Sequence, residues 1–345
     1  MRVHDWEPHL NRAGLRTTIL EGHPTSGPRR SFASRQIAKV GRLNLLWRDV
    51  DAALESVDAI LIQEILPPAR VLRRIRKRAK RVVFDLSDPI HVSSREGILG
   101  GFENRLLRQP RFALALELAD TVVIENDRIG DAILPRVNRL EVMRGPVDIH
   151  RFSPEKRRAP AGENVRVGWT GSPATFEFLK PLLPTLERVG IANPNLEFAL
   201  IGAPPDATIG KLPARMIKWD IETEPFEVAA MDIGISFVPE TPWTRLRGGG
   251  KLVIYMAAGV PIITSPCSIG DQIVRDGQTG IIARTTDQWE NSLRALAADS
   301  ATRETMSRAA RETAVNCYSY EAYLPLMLDI LGVVPPAANN FLAAT

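Results

Sequence analysis

Between Asp232 and Pro266 the chain reads DIGISFVPETPWTRLRGGGKLVIYMAAGVPIITSP, two strand-like runs separated by a glycine triplet that Arg247 and Lys251 bracket. The runs Ile233 to Val238 and Val260 to Thr264 are rich in apolar and β-branched residues and are punctuated by Gly and Pro, the pattern of strands covered on both faces. Such strands belong in a parallel sheet flanked by helices, so the chain is α/β. Between them, Lys251 to Ala258 carries Leu252, Val253, Tyr255 and Met256 and stops at Gly259, which predicts a short buried helix with a glycine just past its end. Gly248, Gly249 and Gly250 leave the backbone N–H groups at its start unobstructed. A guanidinium, an ammonium and a helix N-terminus can therefore meet one anion there, and phosphate is the expected ligand. The competing reading is an ordinary glycine turn with two solvated cations.

A second segment repeats the logic. Arg166 to Thr175, RVGWTGSPAT, reads as a strand, a tight turn at Gly171, and a helix capped by Ser172 with Pro173 at its first position. That helix start lies at the carboxyl end of its strand, where open α/β sheets bind ligands. Two anion sites in one half of the chain predict a diphosphate. Trp219, ending the predicted strand Met216 to Trp219, joins Gly171, Ser172, Gly248, Gly249 and Gly250 as a candidate ligand contact.

With 345 residues and 44% hydrophobic content, the chain is long enough for two cores. The first half alternates helical patterns with short apolar runs at Arg16 to Leu20, Ala59 to Gln63, Arg81 to Leu86, Thr121 to Glu125 and Arg139 to Met143. The stretch from Pro146 to Asn164, rich in Pro and charge, is the expected linker. Residues 1–150 and 164–318 are the two expected doubly wound domains, with a final helix over 319–333. Cys267 and Cys317 lack metal-ligand spacing, which fits a reducing compartment without disulfides. No run has the apolar length of a membrane span, and residues 1–7 lack a signal-peptide core, so a cytoplasmic protein is expected.

Asp232-Ile-Gly-Ile, Pro242-Trp243, Gly250-Lys251-Leu252, Tyr255-Met256-Ala257-Ala258-Gly259-Val260-Pro261, Ser265-Pro266 and Val274-Arg275-Asp276-Gly277-Gln278-Thr279-Gly280 resemble the nucleotide-sugar-binding half of bacterial family 4 glycosyltransferases. The resemblance continues through Val167-Gly168-Trp169-Thr170-Gly171-Ser172-Pro173 and is thinner in Gln63-Glu64, Val83 to Asp88, Ala119 to Val123 and Gly145 to Asp148. It implies a GT-B fold, with two Rossmann-like domains facing a cleft and the last helix crossing back to the first. It also implies a retaining hexosyltransferase-type enzyme that moves a sugar from a nucleotide-diphosphate sugar to a cell-surface glycan or lipid-linked acceptor. Many members carry two glutamates with seven residues between them in this region, the second on the donor ribose. Here Leu246 and Ile254 hold those places, as in a subset of the family that has a lysine in place of Lys251.

Members of this family begin with a strand just upstream of a segment like Arg2-Val-His-Asp-Trp. Here an amphipathic helix over Met1 to Leu10 leads directly to Arg16 to Leu20. The expectation is a start upstream of Met1 or a substitute strand.

Arg247 and Lys251 are expected to stabilise the leaving diphosphate without a metal cofactor. On the acceptor side, Asp85, Asp88 and His91 follow the strand Arg81 to Leu86, and His91 with Asp88 can orient or deprotonate an acceptor hydroxyl. The alternative is a plain Asp88-Pro89 turn with His91 on the surface. The block Arg70 to Arg81 sets Val71 or Leu72, Ile75 and Ala79 on one side of a helix and eight cations around the rest. It is either a solvated face or a contact for anionic membrane. Nucleic acid is disfavoured because no aromatic platform accompanies the charge. Two other functions share the fold: a sugar-nucleotide epimerase, and a non-catalytic sugar-nucleotide-binding protein.

Overall fold

The computed structural model describes residues 2–20, 49–50, 52–90, 108–157 and 164–333. The chain forms two compact units, one of Met1–Val142 with Leu324–Thr345 and one of Met143–Tyr323.

In the first unit, β1 (Ala59–Gln63), β2 (Arg81–Leu86), β3 (Thr121–Ile124) and β4 (Leu140–Val142) form a parallel sheet in the order β1-β2-β3-β4. Successive strands are joined by the helices Ala69–Arg78, Gln109–Leu118 and Asp127–Ile133. Parallel neighbours require such crossovers, and the covered strands are correspondingly apolar: Val83, Phe84, Leu86, Val122, Val123 and Ile124 are all buried. The helix Ala69–Arg78 buries Val71, Leu72 and Ile75 and packs on Gln109–Leu118. Arg76 turns inward, its guanidinium 2.5 Å from the Asp120 carboxylate, which also accepts the Val82 N–H at 2.8 Å.

The amino terminus departs from expectation at one element. Arg2–Arg12 is a helix that buries Trp6, His9 and Leu10, but Arg16 to Leu20 is not a strand. Its apolar content is too low to cover it, and the Thr17 hydroxyl lies 3.3 Å from the Glu7 carboxylate and 3.1 Å from the Asn11 side-chain oxygen. These contacts strap the segment back along the helix. Among the described residues no strand precedes β1.

In the second unit, β5 (Val165–Thr170), β6 (Leu196–Ile201), β7 (Ala214–Ile217), β8 (Ile233–Ser236), β9 (Ile262–Thr264) and β10 (Gly280–Ile282) form a parallel sheet in the order β10-β9-β8-β5-β6-β7. From β5 the chain winds outward through β6 and β7, then returns to the other side of β5 as β8. The winding reverses there, and a sheet of this kind opens its ligand crevice at the carboxyl ends of the strands flanking the reversal. One face of the sheet is filled by Trp169, Leu179, Leu186, Val189, Trp289 and Leu293, the other by Tyr255, Met256, Ile269 and Ala310.

The stretch expected as a linker contributes to this unit. Val147, Ile149 and Phe152 are buried in its second cluster, and Val147 pairs with Ser319 through its backbone. Three apolar residues at this spacing outweigh the Pro and charge that follow. The helix Tyr320–Ile330 begins in the second unit and ends in the first, where Asp329 lies 2.5 Å from Arg139.

Candidate functional site

The candidate residues of the second unit converge at the carboxyl ends of β5 and β8. The glycine triplet leads into the helix Gly250–Ala257, with Gly249 as its N-cap (φ −141°, ψ 43°). The Leu252 N–H is taken by the Gly249 carbonyl at 2.9 Å, and the N–H groups that precede it at the helix start can face an anion. Ser268 braces the entry to this helix. Its backbone is left-handed (φ 63°), and its hydroxyl reaches the carbonyl oxygens of both Arg247 and Gly248 at 2.8 Å. Past the helix, Gly259 takes φ 66°, as the expected glycine stop requires.

Both cations rest on aromatic faces. The Arg247 guanidinium is 4.7 Å from the centre of the Trp243 ring and 5.7 Å from that of Phe178. The Lys251 ammonium is 4.6 Å from the centre of the Trp169 ring. Such contacts hold a cation in place through the electron-rich face of the ring. Burial, with the Arg247 charge adding to it, lowers the Lys251 pKa to about 7. The half-buried ammonium is poorly solvated and faces a like charge, the state an incoming anion relieves.

The β5 turn closes the other side. Ser172 caps the helix Pro173–Leu179 in a reciprocal arrangement with Thr175, matching the sequence expectation. A Cβ on Gly171 would lie 2.5 Å from the Trp169 ring, so the backbone lies directly against the indole that carries Lys251. Gly202, at φ +74°, faces the same turn, and a Cβ there would sit 2.1 Å from the Gly171 carbonyl oxygen and 3.2 Å from the Trp219 Cβ. Trp219 falls just past β7, which ends at Ile217 rather than at Trp219, and its side chain is exposed. An exposed indole beside a glycine-lined strand end can stack on a planar ring.

A buried polar network lies behind these groups. The Tyr255 hydroxyl accepts the Thr170 N–H at 2.9 Å and sits 3.4 Å from the Ile235 carbonyl oxygen. Burial pushes the phenol pKa well up, so it stays neutral. The Thr170 hydroxyl donates to the Glu224 carboxylate at 3.1 Å, and Arg151 lies 3.9 Å from the other carboxylate oxygen. Gly234 makes room for the tyrosine, since a Cβ there would meet its ring at 2.9 Å.

Gly171, Ser172, Trp219, Arg247, Gly248, Gly249, Gly250 and Lys251 are thus linked through shared neighbours within one unit. Asp88 belongs to the first unit, where it is half-buried and its carbonyl accepts the Ile90 N–H at 2.8 Å. Nearby, Asp85 is buried and accepts from the Gln63 amide at 3.1 Å. His91 lies outside the described residues. Among the described residues no group of three or more His, Cys, Asp or Glu side chains is placed to hold a metal. Sequence reasoning missed Phe178, Gly202, Glu224 and Ser268 as parts of this region, and named Thr170 only as a member of the segment Arg166 to Thr175, without its hydrogen bonds. Only Gly202, a glycine at the end of an apolar strand, carried a local signal.

No protein-family model matches the chain, and no curated protein matches it by sequence. Solved structures resemble it in three dimensions. Sucrose-phosphate synthase from Thermosynechococcus elongatus superposes with a TM-score of 0.65 at 15% identity, over 89% of this chain and 80% of that one. HepE from Anabaena, solved in complex with UDP, gives 0.64 at 16% identity over 86% and 84%. A glycosyltransferase from Rickettsia africae gives 0.62 at 12% identity over 90% and 85%. HepE has also been solved with UDP-glucose. These likenesses show the GT-B fold, built from two Rossmann-like domains.

Proposed function

We propose that this protein is a retaining glycosyltransferase that takes its sugar from a nucleotide-diphosphate donor held by the second unit. The observation that carries the reading is the meeting of Arg247 and Lys251 at a glycine-opened helix start, across Trp169 from the Gly171 turn. Fixed cations and aligned N–H groups at the carboxyl ends of β5 and β8 suit a diphosphate better than any neutral ligand. Trp219 then stacks on the base, and the solved complexes of HepE with UDP and UDP-glucose support a donor of this chemical class.

In this mechanism negative charge accumulates on the departing diphosphate as the glycosidic bond lengthens. Arg247 and protonated Lys251 stabilise that charge where a metal ion would otherwise be needed. The acceptor oxygen attacks on the face from which the diphosphate leaves, its proton passes to the departing diphosphate oxygen, and Asp88 and His91 are the residues assigned to orient the hydroxyl. The acceptor is a cell-surface glycan or its lipid-linked precursor, and the reaction belongs in the cytoplasm, where nucleotide sugars are made.

A second reading is favoured by Leu246 and Ile254, which leave no carboxylate on the Gly250–Ala257 helix to grip the ribose. Ile254 packs against the core of the unit. On that reading the protein binds a sugar nucleotide without turning it over. Calorimetry with nucleoside diphosphates, followed by product analysis with nucleotide sugars and glycan acceptors, separates the two. Transfer with an unchanged anomeric configuration supports the enzyme, binding without turnover supports the second reading, and absence of diphosphate binding sinks both. Turnover of the donor without acceptor points instead to an epimerase.

A further inference from the structure

The helix Ala69–Arg78 presents two opposed stripes. Val71, Leu72 and Ile75 are buried, whereas Arg70, Arg73, Arg74, Lys77 and Arg78 are exposed. At about 100° per residue, Arg70, Arg73, Arg74 and Lys77 fall within an arc of roughly 100° almost opposite the buried side chains. The helix sequence, ARVLRRIRKR, holds no acidic residue. Among the described residues Asp120 holds Arg76, Asp58 lies 2.6 Å from Lys80, and Glu55 lies 3.7 Å from Arg78. Beside the stripe an open hollow of about 370 Å³ is lined by Ala52, Glu55, Arg74 and Arg78.

We infer that this stripe is a docking surface for an anionic lipid bilayer. A single helix face lies flat in the plane of the headgroups, and the long stems of Arg and Lys let their charges reach lipid phosphates while the helix stays outside. The helix carries no aromatic residue, so it offers no platform for stacked bases, which disfavours nucleic acid as the partner. Its exposed stripe also lacks bulky apolar side chains, so attachment is electrostatic and reversed by salt rather than by insertion. No helix among the described residues is long and apolar enough to cross a membrane. The inference rests on the charge distribution alone and is independent of the transferase reading. If both hold, the enzyme meets a lipid-linked acceptor on the surface that carries it.

Co-sedimentation of the full chain with phosphatidylcholine vesicles, with and without phosphatidylglycerol, tests the surface at low and high salt. Binding is expected to the anionic vesicles alone and to be lost at high salt. Each cation near such a surface contributes about fivefold in partitioning, so the combined variant Arg70→Gln, Arg73→Gln and Lys77→Gln weakens binding on the order of a hundredfold. The combined Arg70→Lys and Arg73→Lys variant keeps it. Unchanged melting temperatures in both variants separate lost charge from lost fold. Three results overturn the inference: no binding to anionic vesicles, equal binding to neutral ones, or undiminished binding by the glutamine variant. A polynucleotide that displaces the vesicles at equal phosphate concentration overturns it in favour of a nucleic-acid surface.

Discussion

The Tyr255 hydroxyl accepts the backbone N–H of Thr170 at 2.9 Å, which fastens the helix that begins at Gly250 to the strand that ends at the Gly171 turn. The two halves of the candidate site therefore share one buried hydrogen bond, and their spacing depends on it. Tyr255→Phe leaves the Thr170 N–H without that partner in a fully buried place, at a cost of about 1–3 kcal/mol. Thermal unfolding is expected to record that loss, and calorimetry a weaker nucleoside diphosphate complex, although no atom of Tyr255 is assigned to the ligand. A variant as stable as the parent would remove the bond from the account.

On the proposed function, Arg247→Ala and Lys251→Ala each delete a cation that faces the diphosphate. A charge-assisted contact of this kind is worth roughly 1.5–3 kcal/mol, or about ten- to over a hundredfold in affinity. Titration of both variants with UDP and other nucleoside diphosphates checks this. Wild-type affinity in both would place the diphosphate elsewhere.

Lys251 makes binding depend on pH. Its pKa of about 7 in the free protein lies below its usual value of 10.5, so between those values the unfolded chain binds the extra proton. Stability of the ligand-free protein contributed by this group therefore rises with pH through that window. A diphosphate favours the protonated amine, so its affinity falls as pH rises above about 7, approaching tenfold per unit. Below about pH 6 the terminal phosphate itself takes up a proton and affinity falls again. Calorimetry across roughly pH 5 to 9, which reaches about one unit or more beyond both groups, should give a maximum near pH 6 to 7. A flat profile would exclude Lys251 as a contact.

Gly202 is held left-handed against the Gly171 carbonyl, and Gly202→Ala combines an unfavourable φ with a collision at 2.1 Å. Backbone must move, at a cost of about 1–3 kcal/mol, and the piece that moves is the turn under Lys251. Diphosphate affinity is expected to drop together with stability, unlike in a remote destabilised control.

On the proposed function turnover should persist in a chelator, with Arg247 and Lys251 in the role a metal would otherwise fill. Loss of activity in EDTA, restored by magnesium or manganese, would reverse that expectation.

The second unit was legible because its central strands are buried on both faces. Their composition shows through in Ile233 to Ser236 and Ile262 to Thr264, and glycine punctuation marks the turns at Gly171 and Gly248 to Gly250. Phe178, Glu224 and the hydrogen bonds of Thr170 were not legible. Their roles depend on which strand lies beside which, and nothing local in the sequence fixes the order β8-β5-β6. Arg16 to Leu20 misled because a short run of mixed residues has strand-like alternation, whereas pairing is decided by partners far along the chain. The segment from Val147 to Phe152 misled in the opposite sense: neighbouring Pro and charge masked three apolar side chains that reach a core.

The helix Tyr320–Ile330 passes from one unit into the other, and its Asp329 closes on Arg139, almost two hundred residues earlier. Synthesis runs from the amino terminus, so β1 to β4 leave the ribosome long before the residues that complete their unit. The second unit is continuous in sequence and can close first, while the opening sheet waits with an incomplete surface. On this arrangement the second unit is able to close before the first, and a truncation that removes the helix Tyr320–Ile330 should damage the unit encoded first.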